Sequence, residues 1–158
     1  MKRFTKPKVE VLHSLLKTVC KKIEYINYGG CGIFAYYLSG LLAENGYRSE
    51  IICLDRPCSE SARKHRSNLR SIAKRDKAAS FIYTHLCLKI GNYFIDCEAF
   101  EEIRKENVFN EGYRALGKIS RNDLKFLISL EDRWNRPYDR SQNSRLKRLL
   151  RSVVNKLP

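Results

Sequence analysis

The dipeptide Gly91-Asn92, which separates two β-rich segments, restricts the fold of this chain more than any other feature. FIYTHLCLKI (81–90) precedes it and YFIDCEAF (93–100) follows it. Runs rich in β-branched and aromatic residues around such a dipeptide predict a β-hairpin with a two-residue turn. The turn sets the register, and the pairs expected across the hairpin are Ile90 with Tyr93, Leu88 with Ile95, and Cys87 with Asp96.

Side-chain alternation along the two strands divides the hairpin residues between two faces. The first face is apolar and is expected to pack on the core; it holds Leu86, Leu88, Ile90, Tyr93, Ile95 and Cys97. The second face holds His85, Cys87, Lys89, Phe94 and Asp96. His85 and Asp96 thereby become diagonal neighbours, about 7–8 Å apart at the backbone and within reach of each other through their side chains. A register shift of one residue would separate them, so the apolar pattern predicts this pair.

The segment NYGGCGIFAYYL (27–38) places a cysteine behind two glycines at the start of an apolar helix. Helical spacing predicts that this helix runs from Cys31 to Asn45 and ends at Gly46. It is apolar on nearly all sides, which is typical of a central buried helix. The first turn of a helix carries unpaired N–H groups and a partial positive charge, and both favour a thiolate over a thiol. The position of Cys31 therefore suits a nucleophile.

These two features combine into a candidate catalytic group of Cys31, His85 and Asp96. The imidazole would take the thiol proton, and the carboxylate would hold the ring tautomer and stabilise the imidazolium. The N–H of Cys31 would donate to an oxyanion, with a second donor from the Asn27 side chain or a backbone amide of the glycine pair. The residues expected to form this oxyanion site and pocket are Asn27, Tyr28, Gly29, Gly30 and Cys87. In the alternative interpretation, the cysteine is an ordinary core residue, and the histidine and the carboxylate are ordinary strand and turn residues.

A resemblance to the transglutaminase nucleophile motif, Tyr-Gly-x-Cys-x-x-Phe-Ala, is carried by residues 28–35, Tyr-Gly-Gly-Cys-Gly-Ile-Phe-Ala. The order Cys, His, Asp is similar to that family, with His85 beginning one strand and Asp96 closing the next. The resemblance covers residues 25–100. It implies an α+β, papain-like or transglutaminase-like cysteine fold, in which a nucleophile helix packs on an antiparallel sheet between flanking N- and C-terminal helices.

The same resemblance implies a cysteine-dependent acyl-transfer enzyme that acts on a protein or peptide as a peptidase, a glutamine deamidase or a transamidase. Cys31 would be the nucleophile, His85 the general base and then the general acid, and Asp96 the residue that orients the ring. The chain departs from the family pattern at three places: Gly32, where members usually carry a tryptophan, Cys87, and the pair Cys97-Glu98. The resemblance therefore does not indicate whether the acyl group is transferred to water or to an amine.

Apolar periodicity outside these segments predicts the remaining elements. They are a helix over 7–24, a strand over 48–54, a basic helix over 61–75, a helix over 121–134 and a helix from Ser141 onward. Ser120 and Asp123 resemble a capping box before the helix over 121–134. One catalytic domain is expected over 1–135, with its core at 25–100, followed by a basic amphipathic helix or tail over 136–158.

The net charge of +14 on 158 residues points to an acidic partner. The candidate basic surface comprises Arg63, Lys64 and Arg66 in a basic loop, and Arg145, Lys147, Arg148 and Arg151 in the tail. Nothing in these runs resembles a base-reading motif, and three interpretations stay open: an acidic substrate, a nucleic acid or an anionic surface. The alternative to an enzyme is a catalytically silent domain of the same fold that binds nucleic acid or an acidic protein partner.

The six cysteines lie mostly inside apolar runs, and the chain opens without an apolar leader segment. These features favour reduced cysteines in the cytoplasm of a bacterial or phage system, or in a host cytoplasm or virion if the chain is phage-encoded. A zinc site from Cys53, Cys58 and His65 matches no tight ligand spacing, so no metal and no cofactor is expected. No membrane span is expected either, because no apolar run approaches about 18 residues. His13 is expected at a solvated position.

Overall fold

The computed structural model of the chain describes residues 2–26, 29–55, 85–96, 100–102, 113–131 and 138–157. These residues form an α+β structure in which helices pack on an antiparallel sheet. The helices are α1 (Lys6–Cys20), α2 (Cys31–Glu44), α3 (Arg121–Glu131) and α4 (Asn143–Val154), and a 3-10 turn at Arg140–Gln142 precedes α4. The strands are β1 (Glu50–Asp55), β2 (His85–Ile90), β3 (Tyr93–Ile95), β4 (Phe100–Glu102) and β5 (Arg114–Ile119).

The described strands form one sheet in the order β4-β3-β2-β1-β5, and each neighbouring pair is antiparallel. The hairpin of β2 and β3 has the predicted register, with Leu88 opposite Ile95 and Ile90 opposite Tyr93. Gly91 has a φ of 59°, as expected for the first position of a type II′ turn, where glycine is favoured. The Gly-Asn dipeptide therefore predicted both the turn and the pairing correctly.

The two faces of the sheet carry different apolar clusters, as the alternation along the strands requires. The face toward the helices contributes Ile51, Cys53, Leu86, Leu88, Ile90, Ile95 and Ile119 to the main core. The opposite face carries a smaller cluster of Ile52, Leu54, Cys87 and Phe94, with Tyr113 packed against it. The predicted core face of the hairpin is thus confirmed for its described residues.

Helix α2 is the central helix of the described structure and packs against α3, α4, β1 and β2. Its apolar side chains are buried on several sides, as the sequence predicted, and Phe34, Leu38 and Leu42 are at most 2% exposed. Helix α1 covers the same core. His13 is buried in α1, and the expectation of a solvated position was wrong. It follows Val9 by four residues and precedes Leu16 by three, so it shares their inward face.

The C-terminal helix α4 packs on both α1 and α2. Leu146 and Leu150 have no exposed surface, and both belong to the main core. Residues of the predicted basic tail therefore contribute to the same core as α2. Ser120 caps the start of α3 as predicted, because the Asp123 N–H donates to Ser120 Oγ at 3.1 Å; the Ser120 hydroxyl in turn donates to Asp123 Oδ2 at 2.6 Å.

The structure differs from the sequence predictions at the edges of the sheet. Strand β5 was not predicted; it pairs with β1 across a bulge between Cys53 and Leu54. The strand predicted over 93–100 stops at Ile95, and β4 begins separately at Phe100. The predicted helix over 61–75 lies outside the described residues. Within the described ranges, every helix is too short or too polar to span a membrane.

Candidate active site

The structure brings together the three residues predicted to form a catalytic group. Cys31 is the first residue of α2, His85 is the first residue of β2, and Asp96 directly follows β3. The Nε2–H of His85 donates to Asp96 Oδ2 at 2.8 Å, and the Cys31 side chain lies close enough to the ring to raise its pKa. The hairpin register positions the histidine and the acid, and the start of α2 supplies the thiol.

The His85 ring is held between two groups that stabilise its charged form. Its side chain is 14% exposed and that of Asp96 is 10% exposed. Burial by itself lowers the pKa of His85, but the hydrogen bonds to Asp96 and Cys31 and the negative charge on both together raise it to about 10. An imidazole with this pKa is protonated at neutral pH.

The two glycines before Cys31 are required by the path of the backbone. Gly29 has a φ of 109°, a conformation that residues with a Cβ rarely adopt. At Gly30 a Cβ would lie 2.6 Å from the Ile26 carbonyl oxygen and 2.8 Å from the Tyr138 ring. Gly30 is also the N-cap of α2 and accepts the Phe34 N–H at 2.9 Å. The two glycines therefore let the chain turn tightly enough for α2 to begin at Cys31.

Gly30→Ala is expected to lower the free energy of unfolding by about 1–3 kcal/mol, because its new methyl group would overlap backbone and ring atoms that cannot both move away. Urea denaturation measures this loss. Gly40→Ala is the matched control: its Cβ would meet only the mobile end of Arg121, so the change is expected to stay within about 1 kcal/mol of zero. Equal effects of the two substitutions would contradict the packing account.

The segment before α4 contacts the residues that follow α1. The Gln142 side chain accepts the Glu24 N–H at 3.1 Å and donates to the Glu24 carbonyl at 3.2 Å. The adjacent Tyr25 has a left-handed φ of 56°, which is strained for a side chain of this size. The Tyr138 ring, whose hydroxyl donates to Asn143 at 2.9 Å, lies against Gly30. Residues over 100 positions away thus fix the start of α2.

Two residues near the site were not assigned to it from the sequence. The Tyr113 ring lies with its centroid 5.5 Å from that of His85, at an interplanar angle of 33°, and limits the positions that the imidazole can take. Cys53 of β1 lies close enough to Cys31 for the negative charge of Cys31 to affect it. Tyr113 directly precedes β5, and since that strand was not predicted, no sequence signal marked it.

The buried thiols around the site are kept in their neutral form. Burial, and then the charge of Cys31, raises the pKa of Cys53 to about 12. Burial, followed by the charges of Asp96 and Cys53, raises the pKa of Cys87 well above its usual value. Cys87 lies on the predicted face with His85 but is 1% exposed among Ile52, Leu54 and Phe94. Its side chain contributes packing rather than a reactive thiolate.

The remaining predicted site residues divide between described and undescribed parts of the chain. Asn27 and Tyr28 of the predicted oxyanion site, and Arg63, Lys64 and Arg66 of the basic loop, lie outside the described residues. Four predicted basic residues lie exposed on α4: Arg145, Lys147, Arg148 and Arg151. Among the described residues, no three histidine, cysteine or acidic side chains are grouped as metal ligands would be.

Comparisons of the chain with protein-family models, with curated proteins and with solved structures find no match.

Proposed function

We propose that the chain is a cysteine-dependent acyl-transfer enzyme of the papain-like or transglutaminase-like class. The observation that supports this most strongly is that one imidazole, His85, hydrogen-bonds Asp96 and lies beside Cys31. A nucleophile, a base and a group that orients the base are the parts that such chemistry needs. The arrangement of a nucleophile helix on an antiparallel sheet, with the base on one strand and the acid after the next, agrees with that class.

The two ring nitrogens of His85 have separate roles in the proposed mechanism. The Nε2–H donates a hydrogen bond to Asp96, so in the neutral ring Nδ1 is the nitrogen with a free lone pair. Nδ1 accepts the thiol proton of Cys31, giving a thiolate and an imidazolium. Asp96 fixes the tautomer and stabilises the positive charge that this transfer creates.

The proposed reaction has two steps linked by an acyl-enzyme. The Cys31 sulfur attacks the carbonyl carbon of an amide. The oxyanion that forms accepts a hydrogen bond from the unpaired N–H at the start of α2. The imidazolium of His85 donates its proton to the leaving amine or ammonia, which leaves an acyl group on the sulfur. A water or an amine then attacks this thioester while His85 accepts the proton of the attacking group, and the product leaves with the thiol restored.

The acyl-transfer proposal is tested by comparing the proteins of a bacterial lysate after incubation with the wild-type chain or with Cys31→Ser. We expect mass spectrometry to find one class of change that only the wild type produces. New termini would identify a peptidase, a glutamine-to-glutamate mass gain a deamidase, and loss of ammonia on joining an amine a transamidase. Identical spectra with both proteins, under conditions in which Cys31 reacts with an alkylating reagent, would contradict the proposal.

A further inference from the structure

A basic groove lies at the end of the sheet opposite the Cys31 site. Its volume is about 870 Å³, and it is lined by five cationic side chains: Lys2, Arg3, Lys6, Arg48 and Lys89. They come from the N-terminal segment, from α1, from the residues before β1 and from the hairpin. Cations distant in sequence thus converge on one concavity, which is more specific than the general positive charge of the chain.

A second groove continues the first across the start of β1. Its volume is about 570 Å³, and it shares Arg48, Ser49 and Glu50 with the first groove. It adds two further cations, Lys118 from β5 and Arg121 from α3. The combined surface, which we call the hairpin-end groove, is an elongated concavity with seven cationic side chains along its length.

The charge of the hairpin-end groove is largely uncompensated. Its one lining carboxylate, Glu50, lies 3.8 Å from the Arg48 guanidinium and 3.7 Å from the Lys118 ammonium. Within the described part of the chain, Arg3, Lys6 and Lys89 make no ion pair. Like charges held together without counter-charges repel one another, and an anionic ligand with regularly spaced charges relieves this repulsion.

Aromatic rings lie among these cations. Partly exposed Phe4 and Tyr93 line the groove. The Phe4 ring packs on that of Tyr47 at 4.5 Å between centroids and an interplanar angle of 33°, and the Lys2 ammonium lies 5.1 Å from the centroid of the Tyr47 ring. Cations that follow a backbone, interleaved with aromatic faces, are the combination by which proteins bind single-stranded nucleic acids. An acidic peptide would need the cations but not the rings.

The N-terminal side of the groove is fixed by backbone contacts. The Lys2 N–H donates to the Gly46 carbonyl at 2.9 Å, and Lys2 forms a parallel bridge with Tyr47. The Phe4 carbonyl passes beside Gly91 in the hairpin turn. The segment that carries Lys2, Arg3 and Phe4 is therefore attached to the folded core, so little conformational entropy is lost on binding.

We propose that the hairpin-end groove binds a single-stranded nucleic acid through its phosphates and through base stacking on Tyr93 and Phe4. This inference does not rest on the acyl-transfer proposal. Strand β2 separates the two sites by about 17 Å, from His85 at one end to Ile90 at the other. Changes in the groove are accordingly expected to leave the reactivity of Cys31 unchanged, which makes that reactivity a measure of correct folding.

The test measures binding of a fluorescent single-stranded oligonucleotide of mixed sequence by anisotropy, between about 50 and 200 mM salt. The groove variant is Arg3→Gln, Lys6→Gln and Lys89→Gln combined. We expect weaker binding and a salt slope reduced by about 2, since three phosphate contacts are lost. The matched control removes the same charge from exposed residues of α4 and of the turn that follows it, with Arg145→Gln, Arg148→Gln and Lys156→Gln, and is expected to retain most of the wild-type slope.

A second variant separates nucleic acid from other polyanions. Tyr93→Leu is expected to weaken oligonucleotide binding about tenfold with an unchanged salt slope, because a stacking surface is removed and no charge is lost. The proposal is overturned if the control variant weakens binding as much as the groove variant, if Tyr93→Leu has no effect, or if poly-glutamate or a duplex of equal charge binds as tightly as the single strand. Failure of these binding tests would leave the lysate experiment on Cys31→Ser unaffected.

Discussion

Alkylation of the native protein with iodoacetamide at neutral pH is expected to modify Cys31 at least about a thousandfold faster than Cys53 or Cys87. The reactive species is the thiolate. With a pKa of about 12, only about one Cys53 in 10⁵ is ionised at pH 7. Cys53 is 0% and Cys87 1% exposed, whereas Cys31 is 7% exposed. Cys31 also lies beside the His85 ring.

A time course followed by peptide mass spectrometry measures these rates in one sample. Cys20, which is partly exposed, serves as an internal reference for an accessible thiol in the same protein. In concentrated urea, the three buried cysteines are expected to react at similar rates, because both the burial and the imidazole contact are lost. Modification of Cys31 no faster than that of Cys53 in the native protein would contradict the proposed nucleophile.

His85 is expected to titrate near pH 10, and Asp96→Asn is expected to lower that pKa by about 2 or more. Burial lowers the pKa of the ring, and in the variant only the Cys31 contact opposes it. The chain has three histidines, so His85→Gln identifies the resonance of interest in an NMR titration of the imidazole C–H signals. An unchanged pKa in Asp96→Asn would show that the carboxylate does not hold the imidazolium.

The same titration fixes the sign of a stability effect. The pKa of His85 is raised on folding, so the folded chain binds this proton more tightly than the unfolded chain does. The contribution of this proton to the free energy of unfolding is complete below about pH 6.5 and is lost as the pH rises toward about 10. Urea denaturation measures the free energy of unfolding of the wild type and of His85→Gln at each pH. The amount by which the wild type is more stable is therefore expected to fall across this interval. A difference that grows with pH would contradict the raised pKa.

The sequence predicted the centre of the sheet better than its edges, and the position of each strand in the sheet explains why. Strands β1, β2 and β3 are flanked on both sides, so their apolar residues alternate clearly, and the register at Ile90 and Tyr93 could be deduced. The outer strands β4 and β5 each pair with one described strand only. The sequence of β5, RALGKI, contains an interior glycine and two cations, and such edge strands carry a weak apolar pattern.

The candidate site was predictable where local rules apply and hidden where the contacts are distant in sequence. Helix spacing located Cys31, and the turn located His85 opposite Asp96. By contrast, Gln142 contacts Glu24 across 118 positions, and no periodicity links two such residues. The same holds for the hairpin-end groove, which exists only because the N-terminal segment folds back beside the hairpin turn.

The proposed activity requires the Cys31 thiol and the His85 imidazole to act as a pair, and the alkylation assay tests this directly when it is applied to His85→Ala. The account predicts that the rate for Cys31 at neutral pH falls at least about tenfold in this variant, toward the rate of Cys20, because the proton acceptor and the counter-charge are both removed. Far-ultraviolet circular dichroism identical to that of the wild type would show that the fold is retained. A rate for Cys31 equal to that of the wild type in a folded His85→Ala protein would contradict the central claim.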